Sequence, residues 1–159
     1  MTTISYIGIG SNVGDRQGFV NSSVAALDAT EGVVVDRVSS LYETSPVGGP
    51  PQRSFINAVA RIETILTARA LREVCKGIER ALGRGEPTIR WGPRVVDLDL
   101  LLFGDEKVNE PDLEIPHPRM RERRFVLVPL LELDPEVTDP WGGRFGDWVD
   151  DAVGEVRRI

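Results

Sequence analysis

The 159-residue chain predicts an α+β fold, a ferredoxin-like antiparallel sheet with packed helices in a single three-layer domain spanning residues 1–159. Three features carry that prediction. Apolar residues alternate with period two along SFINAVARIETI, they recur at helical spacing after Thr67, and the elements run strand, helix, strand, strand, helix, strand. That order makes two interleaved βαβ units, whose helices cover one sheet face and leave the other needing a cover or a ligand.

Ser5 to Ile9 reads as the first strand, ended by the turn GSNVGD, whose Asn, Gly and Asp also supply a helix cap. In the following helix Val20, Val24 and Leu27 form one apolar stripe that stops near Gly32. VVVDRVSSLYETS is the second strand, and VGGPPQRS is a loop too rich in Pro and Gly for regular structure. In SFINAVARIETI, Ile56, Ala58, Ala60 and Ile62 point one way and Phe55, Asn57, Val59 and Arg61 the other. Thr67 caps a helix from Ala68 to Leu82, with Leu71, Val74, Cys75, Ile78 and Leu82 buried and Gly83 ending it. After the loop GRGEPTIRWGP, a strand runs from Arg94 to Phe103, and short strands fall around Val108 and at Leu113 to Ile115. Met120 to Leu133 is apolar on most sides and predicts a core helix that Pro129 kinks or ends, and GDWVDDAVGEV predicts a short acidic terminal helix.

Hydrophobic residues make up 41% and charged residues 28% of the chain, as in ordinary globular proteins, and a domain this long can bury a core without disulfides. A net charge of −6 argues against nucleic acid or anionic lipid as the partner of the whole surface, so any anion site is local. The N-terminus lacks the pattern of a secretory signal and no segment is long enough to span a membrane, which predicts a cytoplasmic protein. The single Cys75 reads as a small core residue.

The stretch RWGPRVVDLDLLLFG sets Asp97 and Asp99 into an otherwise aliphatic strand. Two apart, they share a face at about 6.5–7 Å, with Leu98, Leu100 and Leu102 opposite and Leu101 and Phe103 continuing the aspartate face. Neighbouring carboxylates repel and resist desolvation, so they need cations. Solvent-facing charges on an edge strand are the ordinary alternative. The surrounding sequence favours chemistry: Arg84, Arg90 and Arg94 precede the pair, and His117, Arg119, Arg121, Arg123 and Arg124 follow it. Arginines around a metal-binding acid pair suit a polyphosphate with Mg²⁺. The chain has no P-loop, and GIGSN, too short for a dinucleotide fingerprint, reads as a turn after a strand that needs no ligand. His117, held between two prolines, suits donation to a phosphate, and Phe55 beside Asn57 suits either a core or a flat heterocycle.

LYETSPVG, SFINAV, RWGPRVVDLDLLLFG and IPHPRMRERRFVLVPLLEL, in this order and spacing, closely resemble the 6-hydroxymethyl-7,8-dihydropterin pyrophosphokinases of folate biosynthesis. The likeness runs from about Ile4 to Leu133. It implies transfer of pyrophosphate from ATP to the pterin hydroxymethyl group, giving AMP and the pterin diphosphate. Asp97 and Asp99 then match ligands of two Mg²⁺ ions. Thr44, Val47, Phe55, Asn57, Trp91 and Phe125 match pterin-site positions, with Phe55 and Phe125 as the stacking aromatics and Trp91 in the lid. Glu79, Arg90, Leu100, His117 and Arg123 match the ATP site, and Arg84 and Arg94 the arginines of the chemical step. Glu86 departs from the family, which often has arginine there; a carboxylate at that place repels the triphosphate unless it faces outward. The resemblance implies a monomer with small-molecule substrates and neither nucleic-acid nor membrane partner. Another metal-dependent phosphotransferase, or a ligand-binding regulatory module, are the rival readings.

Overall fold

The computed structural model describes residues 1–83 and 95–159, and both predicted sheet faces are covered. The elements are β1 (Thr3–Ser11), α1 (Arg16–Asp28), β2 (Val33–Val38), β3 (Tyr42–Thr44), β4 (Phe55–Thr64), α2 (Ala68–Ala81), β5 (Asp97–Phe103), β6 (Val108–Glu110), β7 (Leu113–Ile115), α3 (Arg124–Leu133) and β8 (Val156–Arg158). The main sheet runs β5-β1-β4-β3-β8, with β2 also on β4, and β6 pairs with β7 apart from it. All its pairings are antiparallel. Each of α1 and α2 joins strands that lie on either side of a third, which is the interleaving expected from the order of elements.

The period-two pattern of β4 sorts its residues as expected. Ile56, Ala58, Ala60 and Ile62 enter a core beneath α1 and α2, together with Leu27, Leu71 and Cys75. Val59, on the alternate face, enters a second core with Leu127, Leu130, Met120 and Phe145. Two helices therefore lie on one face, α3 and the C-terminal segment on the other, and β1 and β4 run between them.

Local signals set the ends of the helices. Asp15 caps α1 by accepting from the Gly18 N–H at 3.1 Å, and Thr67 caps α2 by accepting from the Ala70 N–H at 3.1 Å. Gly83 closes α2 at φ +101°, a conformation that costs a glycine little. Pro129 lies inside α3 without ending it; it offers no N–H to the carbonyl of Phe125 four residues back.

Four expectations differ from the structure. β1 continues through Gly10 to Ser11, so the turn begins later than the Gly and Ser residues imply. The second predicted strand divides into β2 and β3 because the Ser39 hydroxyl accepts from the Val59 N–H at 2.9 Å. The predicted helix from Met120 is a 3-10 turn, Met120–Glu122, followed by α3. The predicted terminal helix is absent: a 3-10 turn at Phe145–Asp147 leads through turns into β8, because Val153 and Glu155 bond to distant segments of the chain instead of to residues one helical turn away.

Leu71 is fully buried at the centre of the α2 face. Leu71→Ala is expected to cost about 2–5 kcal/mol, read as a lower midpoint in denaturant unfolding with an unchanged slope.

Candidate active site

β5, β1 and β4 lie side by side, and their register aligns two rows of residues on one face. Gly10 pairs with Asn57 on one side and Asp97 on the other; Gly8 pairs with Val59 and Asp99. In each row a residue without a side chain separates an aspartate from its counterpart two strands away, a span of about 10 Å. The result is a trough in the sheet. A Cβ on Gly10 would lie 2.3 Å from Asn57 Oδ1, so that position accepts only glycine while Asn57 keeps its place. GIGSN, read from sequence as a turn without a ligand, instead contributes Gly8 and Gly10 to the floor of the site.

The trough opens into a cavity of about 410 Å³, which Asp97, Asp99, Phe55, Asn57, Val47, His117, Arg119, Arg123 and Phe125 also line. Both carboxylates are half-buried. Asn57 is buried and donates through Nδ2 to Thr44 Oγ1 at 2.6 Å. Thr44 itself is buried and is not among the lining residues; it fixes the orientation of the Asn57 amide. The Arg123 guanidinium carbon lies 5.5 Å from the centre of the Phe125 ring, a cation–π contact. Burial lowers the Arg123 pKa and the charge of Asp99 opposes that, so the guanidinium remains a cation facing the acid pair.

A second cavity, about 270 Å³, adjoins the first. Leu98, Leu100, Cys75 and Leu113 give it an apolar side, and it shares Asp99, Lys76, His117 and Pro118 with the first cavity. Glu79 lines neither cavity. Its buried carboxylate accepts from the Leu98 N–H at 2.7 Å and from Lys76 Nζ at 3.3 Å. Since β5 ends the sheet among the described residues, that backbone donor points away from β1, and Glu79 holds the strand between the two aspartates.

A β-bulge in β5 alters the predicted faces. Tyr6 pairs with Leu102 and Ile7 with Leu100, leaving Leu101 as the extra residue. Leu101 stays on the aspartate face as expected, but Leu102 joins it in the second core, and Phe103 turns to the α1 and α2 side.

The family model for 7,8-dihydro-6-hydroxymethylpterin-pyrophosphokinase matches residues 6–135. The chain belongs to this family. It is 47% identical over 137 residues to the 2-amino-4-hydroxy-6-hydroxymethyldihydropteridine pyrophosphokinase of Bacillus subtilis, covering 86% of this chain and 81% of the relative. The enzyme of the same name from Methylorubrum extorquens is 45% identical, covering 85% of each. Among solved structures, Plasmodium falciparum HPPK-DHPS with pteroate aligns at a TM-score of 0.73 and 14% identity, a likeness of fold. That alignment covers 94% of this chain, which spans 42% of the larger one.

Against the pattern of the pyrophosphokinase family, the structure gathers Val47, Phe55, Asn57, Asp97, Asp99, His117, Arg123 and Phe125 around one cavity and Leu100 around the next. Thr44 and Glu79 stand behind these residues as supports. Arg84, Glu86, Arg90, Trp91 and Arg94 lie outside the described residues. Lys76 was missed in the sequence because one lysine on an amphipathic helix looks like a solvated charge; only the packing of α2 beside β5 brings it to the site. Gly8 and Gly10 did leave a signal, two glycines alternating with isoleucines in a strand.

Among the described residues no group of three or more His, Cys, Asp or Glu side chains is placed to hold a metal. Two carboxylates fit Mg²⁺ even so, since that ion completes its shell with phosphate oxygens and water.

His117 is fixed at its backbone by donation of its N–H to Leu101 O at 3.0 Å. Its Nδ1 accepts from the Arg119 N–H at 3.3 Å, which leaves Nε2 to carry the proton of the neutral ring. Burial holds its pKa below the ordinary 6.5, with Asp99 opposing and Arg123 reinforcing the shift. It is the chain's one histidine. Its Hε1 proton is expected to give one titrating NMR signal with a midpoint below 6.5, so that less than half is protonated at that pH; a midpoint above 6.5 contradicts the burial.

Proposed function

We propose that residues 1–159 act as one domain, a cytoplasmic monomer, that uses ATP and two Mg²⁺ ions to pyrophosphorylate 6-hydroxymethyl-7,8-dihydropterin. The pyrophosphokinase role in folate biosynthesis is supported by the family match and by curated relatives that share most of their length with this chain. The observation that carries the finer reading is the pair of adjoining cavities with Asp99 and His117 in the shared wall. Two substrates in two cavities then meet at that wall.

The first cavity suits the pterin. Phe55 and Phe125 offer ring faces, and Asn57, its amide held by Thr44, offers hydrogen bonds to a heterocycle edge. The apolar side of the second cavity, with Leu100, suits the adenosine part of ATP, which places the phosphates toward Lys76, His117 and Arg123. Mg²⁺ held by Asp97 and Asp99 supplies neutralisation of the phosphate charge. The pterin hydroxyl oxygen bonds to the β-phosphorus of ATP, the bond from that phosphorus to the α-phosphate oxygen breaks, and AMP leaves. The hydroxyl proton passes to solvent.

The protein contributes position and charge. Neutral His117 donates Nε2–H to a phosphate oxygen, and Arg123 offsets the negative charge that builds during transfer. Glu79 acts through β5, keeping Asp97 and Asp99 at their spacing. Arg84 and Arg94 take part in the chemical step, Arg90 in binding ATP and Trp91 in closing the site, by their match to the family.

Incubation with ATP, Mg²⁺ and 6-hydroxymethyl-7,8-dihydropterin is expected to yield AMP and the pterin diphosphate. ADP or free phosphate as the main product would point to a different phosphotransferase. Asp97→Asn and Asp99→Asn are each expected to lower kcat by about a hundredfold or more while the thermal midpoint changes little. Removing divalent ions with a chelator is expected to abolish turnover and excess Mg²⁺ to restore it; turnover that survives chelation argues against the metal reading.

A further inference from the structure

The segment after residue 135 lies beyond the region that the family model matches, yet it touches two walls of the first cavity. One wall is the stretch from Arg119 to Phe125 and the other is the loop after β3 that holds Val47. Val153 bonds the first wall on both sides of Arg123, its N–H donating to Glu122 O at 2.9 Å and its carbonyl accepting from the Arg124 N–H at 3.1 Å. Two residues on, Glu155 bonds the second wall twice. Its carbonyl accepts from the Ser45 N–H at 3.0 Å, and its own N–H donates to Ser45 Oγ at 3.0 Å.

Between these grips stands Gly154 at φ +116°, where a side chain is strained, and a Cβ there would lie 3.6 Å from Val47 Cγ2. The segment is anchored on either side. Upstream, Trp148 packs edge-on against Phe145 at 5.3 Å, the Arg121 guanidinium carbon lies 4.7 Å over the Trp148 ring, and Arg124 Nε donates to Val149 O at 3.2 Å. Downstream, β8 pairs with β3, Val156 opposite Thr44, and Arg157 binds Glu43 at 2.5 Å.

We infer that Val153, Gly154 and Glu155 form a positioning strap that sets the width of the pterin pocket by tying Arg123 to the Ser45–Val47 loop. Three backbone bonds and one from the Glu155 N–H to the Ser45 hydroxyl grip the chain on both sides of Arg123 and at Ser45, so loosening the Ser45 end moves the Val47 wall while Val153 still holds Arg123. Neither Val153, Gly154 nor Glu155 is among the residues that line the two cavities, so they act through Arg123, Phe125 and Val47. The second cavity has no residue from the loop after β3 or from the strap. Loosening the Ser45 end, with Val153 still holding Arg123, therefore changes the Val47 wall that only the first cavity has, and alters pterin affinity more than ATP affinity. This deepens the pyrophosphokinase reading and rests on it.

The test is steady-state kinetics of AMP formation by the full chain and two kinds of variant. Gly154→Ala strains the pivot, and Ser45→Ala removes the hydroxyl that Glu155 uses, while Ser45→Thr keeps it. Gly154→Ala and Ser45→Ala are expected to raise the pterin KM by about tenfold with the ATP KM within about twofold, and Ser45→Thr to restore the pterin KM. A purely structural role predicts something else: both KM values unchanged in a folded variant, or pterin and ATP KM rising together with a falling thermal midpoint. Either result overturns the strap. If Gly154→Ala does not fold, the Ser45 pair decides alone. A wild-type chain that makes no AMP removes the pyrophosphokinase reading, and the strap with it; normal wild-type turnover with an unmoved pterin KM in the variants removes only the strap.

Discussion

The structure depends on placing two carboxylates side by side on an edge strand without losing them to solvent or to the core. At about 6.5–7 Å, two unit charges in a medium of effective dielectric about 20 repel by about 2 kcal/mol, comparable to the worth of a good core contact. The glycines opposite them, Gly8 and Gly10, open a trough in which water, cations and phosphates can reach both. Arg123 carries the compensating charge from the far wall, where both Asp97 and Asp99 act on it. Aliphatic neighbours hold the strand down: Leu98 and Leu100 toward α2, and Leu101 and Leu102 toward α3.

An edge strand also has backbone groups with no neighbouring strand, and α2 answers for one of them. A buried glutamate is costly unless its charge is engaged, and Glu79 engages it on the Leu98 N–H and on Lys76. The arrangement links a helix with an apolar stripe to the geometry of the strand that carries the two aspartates. Stability and chemistry share these contacts, because a β5 that frayed at Leu98 would carry Asp97 and Asp99 with it.

The third layer is held by polar as well as apolar contacts. Tyr6 donates to Asp134 at 2.9 Å and Tyr42 to Glu132 at 2.6 Å, and burial with these carboxylate partners pushes both phenol pKa values up to about 12. Both hydroxyls thus stay protonated donors at neutral pH. They fix the C-terminal end of α3 to the sheet, while Val153 fixes the stretch before its N-terminal end. Arg123 and Phe125, at that N-terminal end, are positioned from both directions.

Much of this molecule could be read in its sequence, because the readable part rests on local regularities. Period-two alternation placed β4 and sorted its faces, the helical stripe and Thr67 placed α2, and the spacing of Asp97 and Asp99 placed both carboxylates on one side of a strand. The family motifs pointed to the residues around the cavity, because a site built on adjacent strands draws on a few short, distinctive segments. What the sequence could not supply came from contacts between distant segments. The bulge at Leu101 depends on the register with β1, Lys76 reaches the site through the packing of α2, and Ser39 divides a predicted strand by bonding to β4. The C-terminal segment is the sharpest case. Its composition suits a helix, but Val153 satisfies its backbone groups on Arg124 and Glu122, 29 and 31 residues away, and Glu155 on Ser45, 110 away, and such long-range bonds leave no periodic mark in the chain. Local chemistry thus determined the elements and the acid pair, and tertiary packing decided which residues surround that pair and what holds them there.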